Sequence, residues 1–274
     1  MKNRIIIAIV ALIFGVFMPI ASQAGNAEAE LQAAAKEYDA GNNAAAIELY
    51  NKWIKEYGEN VAVMYNLGNA YTRQKEYGPA RLWYERAHKL DPSNEEVENN
   101  LSFVTTKVDI QNRSDLKGKP LSVTPDDPWF FQSIYGMVAK NVKSDSWALM
   151  AGIAFVLFIF LLADYIFTKQ VMVRKLGFFG GIIMLGLSAL FLVFSFCAAH
   201  ELGKHDAGVI TASKVELLAE PSDNAKTVTT PLNAGTKVDI QKIEGGTFES
   251  PEWYQVRLNS DFTGWVKADK VAAI

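Results

Sequence analysis

The side chains best suited to catalysis or metal binding are few in this chain, and they stand far apart. The single cysteine, Cys197, lies inside an apolar run, where a free cysteine usually serves as a small packing residue. Asp164 lies near the end of another apolar run, and His200 and His205 share no helical face. Catalysis needs a nucleophile beside a base, paired acids, a metal cluster or a phosphate loop. We therefore expect no catalytic residue, no cofactor and no metal site, and we predict that the protein is not an enzyme.

A second group of side chains has the spacing of a binding surface. Asn69 is four residues after Tyr65, and Thr72 and Arg73 follow Asn69 by three and four residues, so all four project away from the packing residues of one helix. An amide and a guanidinium on the same face can hold a carboxylate or a peptide backbone. We predict that these residues line a peptide groove. The alternative is a solvated helix face without a ligand.

Three aromatic residues near the end of the sequence form another candidate surface. Trp253, Tyr254 and Trp265 lie in short runs of alternating apolar and polar residues, which indicate β-strands. Aromatic side chains are enriched in binding interfaces. They also fill the cores of small domains, so a packing role is the alternative to a role in binding a partner.

The elements that position the first surface have the pattern of a helical repeat. The run VAVMYNLGNAYTRQKEYGPARLWYERAHKLDPSN, residues 61–94, resembles one complete tetratricopeptide repeat (TPR) at its usual period of 34 residues. Small residues at a helix crossing, with tyrosines around them, suit close packing. The positions that carry the resemblance are Leu67, Gly68, Tyr71, Ala80, Tyr84, Ala87 and Pro92. The resemblance implies a pair of antiparallel helices with a groove that binds peptide segments.

Neighbouring segments extend this repeat in both directions. One period earlier, residues 27–60 carry Ala46 and Tyr50 in register with Ala80 and Tyr84, as a weaker first repeat would. After the second repeat, residues 94–108 keep apolar residues at helical spacing, but no partner helix follows. We interpret this stretch as a solvating cap helix. The predicted all-α TPR domain therefore covers residues 25–108.

Two apolar runs predict a membrane hairpin. Half of the residues are hydrophobic, and the excess is concentrated in a few runs. Residues 147–167 contain one charge and residues 176–199 contain none, so both are long enough to span a bilayer. The loop between them carries Lys169, Arg174 and Lys175 with no acid, which the positive-inside rule places in the cytoplasm. The predicted hairpin covers residues 147–199, with both larger soluble parts on the opposite side.

Small residues four apart occur at three places in the hairpin, and this spacing lets helices approach closely. One pair, Ala148 and Gly152, is on the first span, and another, Ser195 and Ala199, is on the second. In an antiparallel hairpin these two pairs lie at similar depths. We expect these pairs to meet. Gly177 and Gly181 would then be free for a partner helix.

The first 24 residues have the pattern of an export signal. Lys2 and Arg4 precede an apolar stretch, and Ser22-Gln23-Ala24 supplies small residues where a signal peptidase cleaves. We predict a signal peptide at residues 1–24; an uncleaved anchor is the alternative. Residues 109–146 form a proline-containing linker that leads into a short amphipathic helix with an aromatic cluster. This helix either lies at the bilayer surface or packs against the repeat.

The last segment, residues 207–274, has the alternation and glycine turns of short β-strands. The runs GVITASKVELLAEPS, LNAGTKVDIQKI, EWYQVRL and FTGWVKADKV resemble a bacterial SH3-like domain, in particular at Gly264-Trp265-Val266. We therefore predict an all-β SH3-like barrel, and the whole chain is expected to be a multidomain membrane protein. The net charge of −3 and the lack of a basic patch argue against binding to nucleic acid.

The order of these parts is itself informative. A signal peptide, TPR repeats, two transmembrane helices and a C-terminal SH3-like domain resemble BatE-type proteins of the aerotolerance-operon family. The resemblance implies a bacterial inner-membrane protein with both soluble domains in the periplasm. It also implies a scaffold in a stress-related envelope complex, with partners among membrane proteins that carry von Willebrand-type domains and other TPR proteins. One alternative is a peptidoglycan-binding module that recruits a cell-wall enzyme. Another is an enzyme subunit whose activity is latent until its partners assemble.

Overall fold

The fold consists of a helical repeat, an apolar helix hairpin and a small antiparallel sheet. The computed structural model describes residues 25–115, 134–138, 141–204, 206–229, 231–247, 250–258 and 262–274. The predicted signal peptide at 1–24, the aromatic cluster at 129–131 and His205 lie outside the described residues.

The repeat module, residues 25–115, consists of successive helices joined by short turns. Asn60 begins the third helix, because its side-chain oxygen accepts hydrogen bonds from the backbone N–H groups of Ala62 and Val63. Asn94 begins the fifth helix in the same way. The helices are α1 (25–39), α2 (Asn43–Tyr57), α3 (Val61–Arg73), α4 (Tyr77–Leu90) and α5 (Glu95–Asp115).

Close contact between α3 and α4 requires glycine at position 68. A Cβ added to Gly68 would lie 2.6 Å from the Cε1 atom of Tyr84. Tyr84 itself is completely buried, together with Met64 and Leu67. The resulting helical core is the one that the repeat pattern predicts.

The helix α5 continues to Asp115, past the predicted end of the cap helix at residue 108. Val97, Val104 and Val108 are completely buried along one face of it. Asn112, one turn further, is also buried, and it contacts the sheet described below. The last turns of α5 therefore serve the contact between modules.

The hairpin consists of α7 (Ser144–Phe167) and α8 (Val171–Leu202). A short helical segment, α6 (134–138), precedes it. Both long helices have the length and composition to cross a membrane, with mean hydropathies of 2.4 and 2.5 over their most apolar windows. Only 11% of each window is buried, whereas a core helix of a soluble protein is mostly buried. The large apolar side chains on these helices thus face outward.

Glycines on α8 contact α7, so the prediction that they are free for a partner helix is wrong. A Cβ on Gly177 would lie 2.6 Å from the backbone oxygen of Leu161, and Gly181 is buried beside Phe158. Gly152 was expected at the crossing but is exposed, with nothing within 4 Å of an added Cβ. Ser188 donates to the Ala151 carbonyl instead, so the buried face of α7 lies one residue before the predicted position.

The β module, residues 206–274, is a five-stranded antiparallel sheet in the order β4-β3-β2-β1-β5. Its strands are β1 (Ala207–Ile210), β2 (Lys237–Gly246), β3 (Pro251–Arg257), β4 (Thr263–Lys267) and β5 (Val271–Ala273). The predicted closed barrel is wrong, because β4 and β5 are the two edges of the sheet. A 3-10 turn, Ala268–Lys270, carries the chain from β4 to β5, which pairs with β1 and leaves the sheet open.

The repeat module and the β module pack directly against each other. Leu82 of α4 forms one apolar cluster with Val209 and Ile274. At a second point, Gly78 and Gly235 approach so closely that a Cβ on Gly235 would lie 2.9 Å from the Gly78 Cα. The two modules therefore share a buried interface along α4.

Candidate interaction surfaces

The predicted groove contains a hydrogen-bonded network centred on Tyr84. Asn69 Oδ1 accepts from the Tyr84 hydroxyl at 2.5 Å and from Asn100 Nδ2 at 2.9 Å. The Thr72 hydroxyl donates to the Gly68 carbonyl and lies 3.3 Å from the Tyr84 hydroxyl. The network thus joins α3, α4 and α5, and it fixes the orientation of two neighbouring amide side chains.

Burial keeps the Tyr84 phenol neutral. Loss of solvent raises the pKa of Tyr84 to about 12, although the hydrogen bond with Thr72 opposes this shift. A neutral hydroxyl can donate to Asn69, whereas a tyrosinate cannot. An ordinary tyrosine is also neutral at pH 7, so burial extends to higher pH the range in which this donor is present.

The structure brings only part of the predicted groove together. Asn69 and Thr72 meet at Tyr84, and the Tyr65 ring lies 6.0 Å from the Tyr84 ring. Arg73 is directed elsewhere: it donates to the Tyr38 carbonyl at 2.8 Å, and its guanidinium stacks 3.6 Å from the centre of the Tyr38 ring. Arg73 thus links the first repeat to the second, which is a structural contact that its position in the sequence does not reveal.

The predicted aromatic surface is divided between the two faces of the sheet. Tyr254 packs against the core of the β module, next to Val266 in the strand pairing. Trp253 pairs with Lys267 on the other face, where the Lys267 ammonium lies 5.6 Å from the Trp253 ring centre. Trp265 is on that same face as a diagonal neighbour but is only 9% exposed. Of the three aromatic residues, Trp265 is therefore buried, whereas Tyr254 and Trp253 are both partly exposed, Tyr254 against the core and Trp253 on the opposite face.

The strongest polar contacts between the modules were not predicted from the sequence. Glu85 of α4 is 6% exposed, and its carboxylate lies 2.7 Å from Lys237 Nζ in β2 and 3.6 Å from Arg81 Nε. Arg81 also donates to the Gly235 carbonyl at 3.0 Å. Arg81 and Glu85 are four residues apart, so in sequence they look like an ordinary ion pair on a solvated helix. Only the long-range partner Lys237 distinguishes them.

A second unpredicted contact comes from the extended end of α5. Asn112 donates to the Thr236 hydroxyl at 3.0 Å and accepts from the Asn233 backbone N–H at 3.2 Å. All three residues are buried. Because the amide satisfies both of these polar groups in a buried interface, it also fixes the position of the loop before β2.

Polar contacts also join the end of α4 to the start of α7 and to the end of α8. Lys143, just before α7, makes an ion pair of 2.5 Å with Asp91. Lys89 donates to the backbone oxygens of Lys204, just after α8, and of Ile274. Burial lowers the pKa of Lys89. The repeat module therefore lies against the end of the hairpin where α7 begins and α8 ends.

Comparison with known proteins identifies one part of the chain. The sequence profile of the tetratricopeptide repeat matches residues 61–94, which span α3 and α4. No curated protein matches the chain. Among the described residues, no group of three or more His, Cys, Asp or Glu side chains is placed to hold a metal ion. The repeat suggests a role in protein–protein interaction.

Proposed function

We propose that this protein is a non-catalytic, membrane-anchored adaptor whose repeat module binds an extended peptide segment of a partner protein. One observation carries the proposal: the partly exposed amides of Asn69 and Asn100 are oriented by Tyr84 and still have hydrogen-bonding capacity. Among the described residues, nothing engages Asn69 Nδ2 or Asn100 Oδ1. A free donor beside a free acceptor complements a peptide group, which carries one of each.

Selection of peptides against the full chain in lipid nanodiscs tests this proposal. Peptides enriched over empty nanodiscs should lose about tenfold in affinity when Asn100→Ala removes one of the amides, since the loss of about 1.4 kcal/mol is typical of one hydrogen bond. Ser102→Ala, at an exposed position on the same helix, is the matched control and should have no effect. Equal affinity for the wild type and Asn100→Ala, or no enrichment at all, would contradict the proposal.

The finer part of the proposal is that the adaptor belongs to a bacterial envelope complex. The BatE-type order of parts supports this, as does the exposed basic tip of the hairpin at Lys169, Arg174 and Lys175. On this basis we place the repeat and β modules in the periplasm, beside membrane proteins with von Willebrand-type domains and other TPR proteins. The assignment of the β module as SH3-like rests on its five short antiparallel strands around a core of their own.

Identification of the partners after mild detergent extraction checks this assignment. Recovery of von Willebrand-type membrane proteins with the wild type, and loss of those partners in Asn100→Ala, is the expected result. Recovery of cell-wall hydrolases alone would favour the alternative below.

A peptidoglycan-binding role is the second candidate, and one observation favours it. Trp253 is partly exposed on the sheet face opposite the core, next to the Lys267–Asp223 ion pair of 2.7 Å. An aromatic ring beside a cation and an acid can contact a sugar-peptide polymer. Strong retention on purified sacculi that is lost in Trp253→Ala would establish this role, whereas unchanged retention would remove Trp253 from it.

A further inference from the structure

The short helix α6 makes one hydrogen bond to the last turn of α8 and one to the first turn of α7. The Tyr135 hydroxyl donates to Glu201 Oε2 at 2.9 Å, and Glu201 belongs to the last turn of α8. The carbonyl of Val138 accepts a hydrogen bond of 3.0 Å from Trp147 Nε1, in the first turn of α7. The first contact is made by a side chain and the second by the backbone carbonyl at the last residue of α6. Together they hold α6 at one fixed level of the hairpin.

That level has the composition of a membrane–water interface. Trp147 packs against Phe191 and Phe194, with ring centres 5.8 and 5.0 Å apart, and its N–H donates to the Val138 carbonyl, which lies outside the apolar run. Glu201 and Lys204 form an ion pair of 2.6 Å at the same end. Tryptophan and charged residues with this arrangement are enriched where the hydrocarbon region meets the headgroups.

An adjacent side of α6 presents two large, exposed apolar side chains. Ile134 is 41% exposed and Met137 is 67% exposed, and they are three residues apart. On the hairpin itself, Leu149 and Ile153 are also exposed. Exposed apolar side chains at headgroup level are stabilised by burial in lipid.

We propose that α6 is an interfacial helix, with Ile134 and Met137 inserted among the lipids of the leaflet nearest the repeat module. The proposal rests on the membrane-spanning hairpin of the proposed function. It gives a role to the hydrogen bonds that join α6 to α7 and α8. Three helices in the membrane, rather than two, would fix the tilt of the hairpin and of the repeat module that is bound to it. The occupant of this surface is lipid; a protein partner on the same side chains is the competing outcome.

Spin labels on the full chain in phosphatidylcholine nanodiscs provide the test. In a Cys197→Ala background, single cysteines are placed at Met137→Cys, at Ile153→Cys in the middle of α7 and at Phe103→Cys on α5. Phe103 is 48% exposed and serves as the apolar control outside the hairpin. The label at 137 should collide several-fold less with a water-soluble nickel reagent than the label at 103, and more with oxygen.

The three labels distinguish the possible failures. Nickel access at 137 equal to that at 103, with 153 shielded, overturns the interfacial helix while the hairpin still spans the bilayer. Nickel access at 153 overturns the proposed function itself. Shielding of 137 from nickel without any gain in oxygen collisions indicates protein cover and likewise contradicts the lipid contact.

Discussion

Tyr84 connects the repeat core to the candidate groove. Its ring lies beneath Gly68, and its hydroxyl is held by Asn69 and Thr72. A phenol that is buried and hydrogen-bonded in this way gains packing energy and a polar partner at once. The repeat pattern predicts Tyr84 as a packing residue, but it does not predict that its hydroxyl orients Asn69, because that contact depends on helix positions rather than on residue type.

Asp91 provides a prediction for pH. Burial by itself raises the pKa of Asp91, but hydrogen bonds from Lys143 and Ser93 outweigh it and hold the pKa below its ordinary value of 3.8. The carboxylate therefore stabilises the folded state above pH 3.8, and this contribution is lost as the pH falls through the lowered pKa. We expect the free energy of unfolding of the wild type to fall as the pH passes through this acid range. Asp91→Asn should lack this decrease, called the acid step below, and should be less stable than the wild type at pH 7.

Urea titrations of the detergent-solubilised chain between pH 7 and pH 2.5 measure the effect. Asp109→Asn, at an exposed position on α5, is the control and should retain the acid step of the wild type. An unchanged step in Asp91→Asn would show that Asp91 does not connect the repeat to the hairpin.

At the scale of elements, α4 packs into the repeat with one face and against the β module with another. Ala80, Tyr84 and Ala87 pack inside the repeat, whereas Leu82 and Glu85 face the β module. Helix α4 therefore belongs to the cores of both contacts. A substitution on the face that contacts the β module should alter the β module without disturbing the groove.

Glu85→Ala tests that separation. The substitution leaves the buried guanidinium of Arg81 without its carboxylate. We expect a loss of about 2 kcal/mol in the free energy of unfolding, which is less than for a fully buried ion pair because Lys237 is partly exposed. Hydrogen exchange should accelerate at Gly235 and Thr236 but not around Asn69. Glu48→Ala, on the exposed side of α2, should change neither quantity. Faster exchange around Asn69 in Glu85→Ala would show that the two faces of α4 are not independent.

The hairpin crossing yields a matched pair of variants. Gly177→Ala places a methyl group against the α7 backbone, so the helices must separate, and we expect a loss of about 1–3 kcal/mol. Gly152→Ala meets nothing within 4 Å and should be neutral. Titration of the folded hairpin with sodium dodecyl sulfate in mixed micelles compares the two. Equal effects would indicate that Gly177 does not lie at the crossing.

Local patterns predicted the elements better than their contacts. The repeat and both apolar helices follow from spacing and composition within single segments, so they could be found from the sequence. The helix α8 begins at Val171 rather than 176, because Arg174 and Lys175 are good helix formers that extend it past the apolar run. The open sheet and the Glu85–Lys237 pair could not be predicted, since each depends on residues far apart in the chain.

At the scale of the whole molecule, the two soluble modules form a continuous body at one end of the hairpin. Leu82 and Glu85 join the repeat module to the β module, and Lys89 and Asp91 join it to the hairpin ends. Under the proposed function, this construction would present the peptide groove at a fixed orientation to the bilayer. Such an arrangement raises the effective concentration of the groove for partners in the same membrane.

The side of the membrane on which each part lies is the most direct test of this account. In a Cys197→Ala background, single cysteines at Asn99 on the repeat module, Lys242 on the β module and Gln170 at the hairpin tip are treated with an impermeant maleimide in intact spheroplasts. All three positions are exposed. The account predicts that the cysteines at 99 and 242 react and that the one at 170 reacts only after permeabilisation. Reaction of only one module, or of the tip alone, would contradict it.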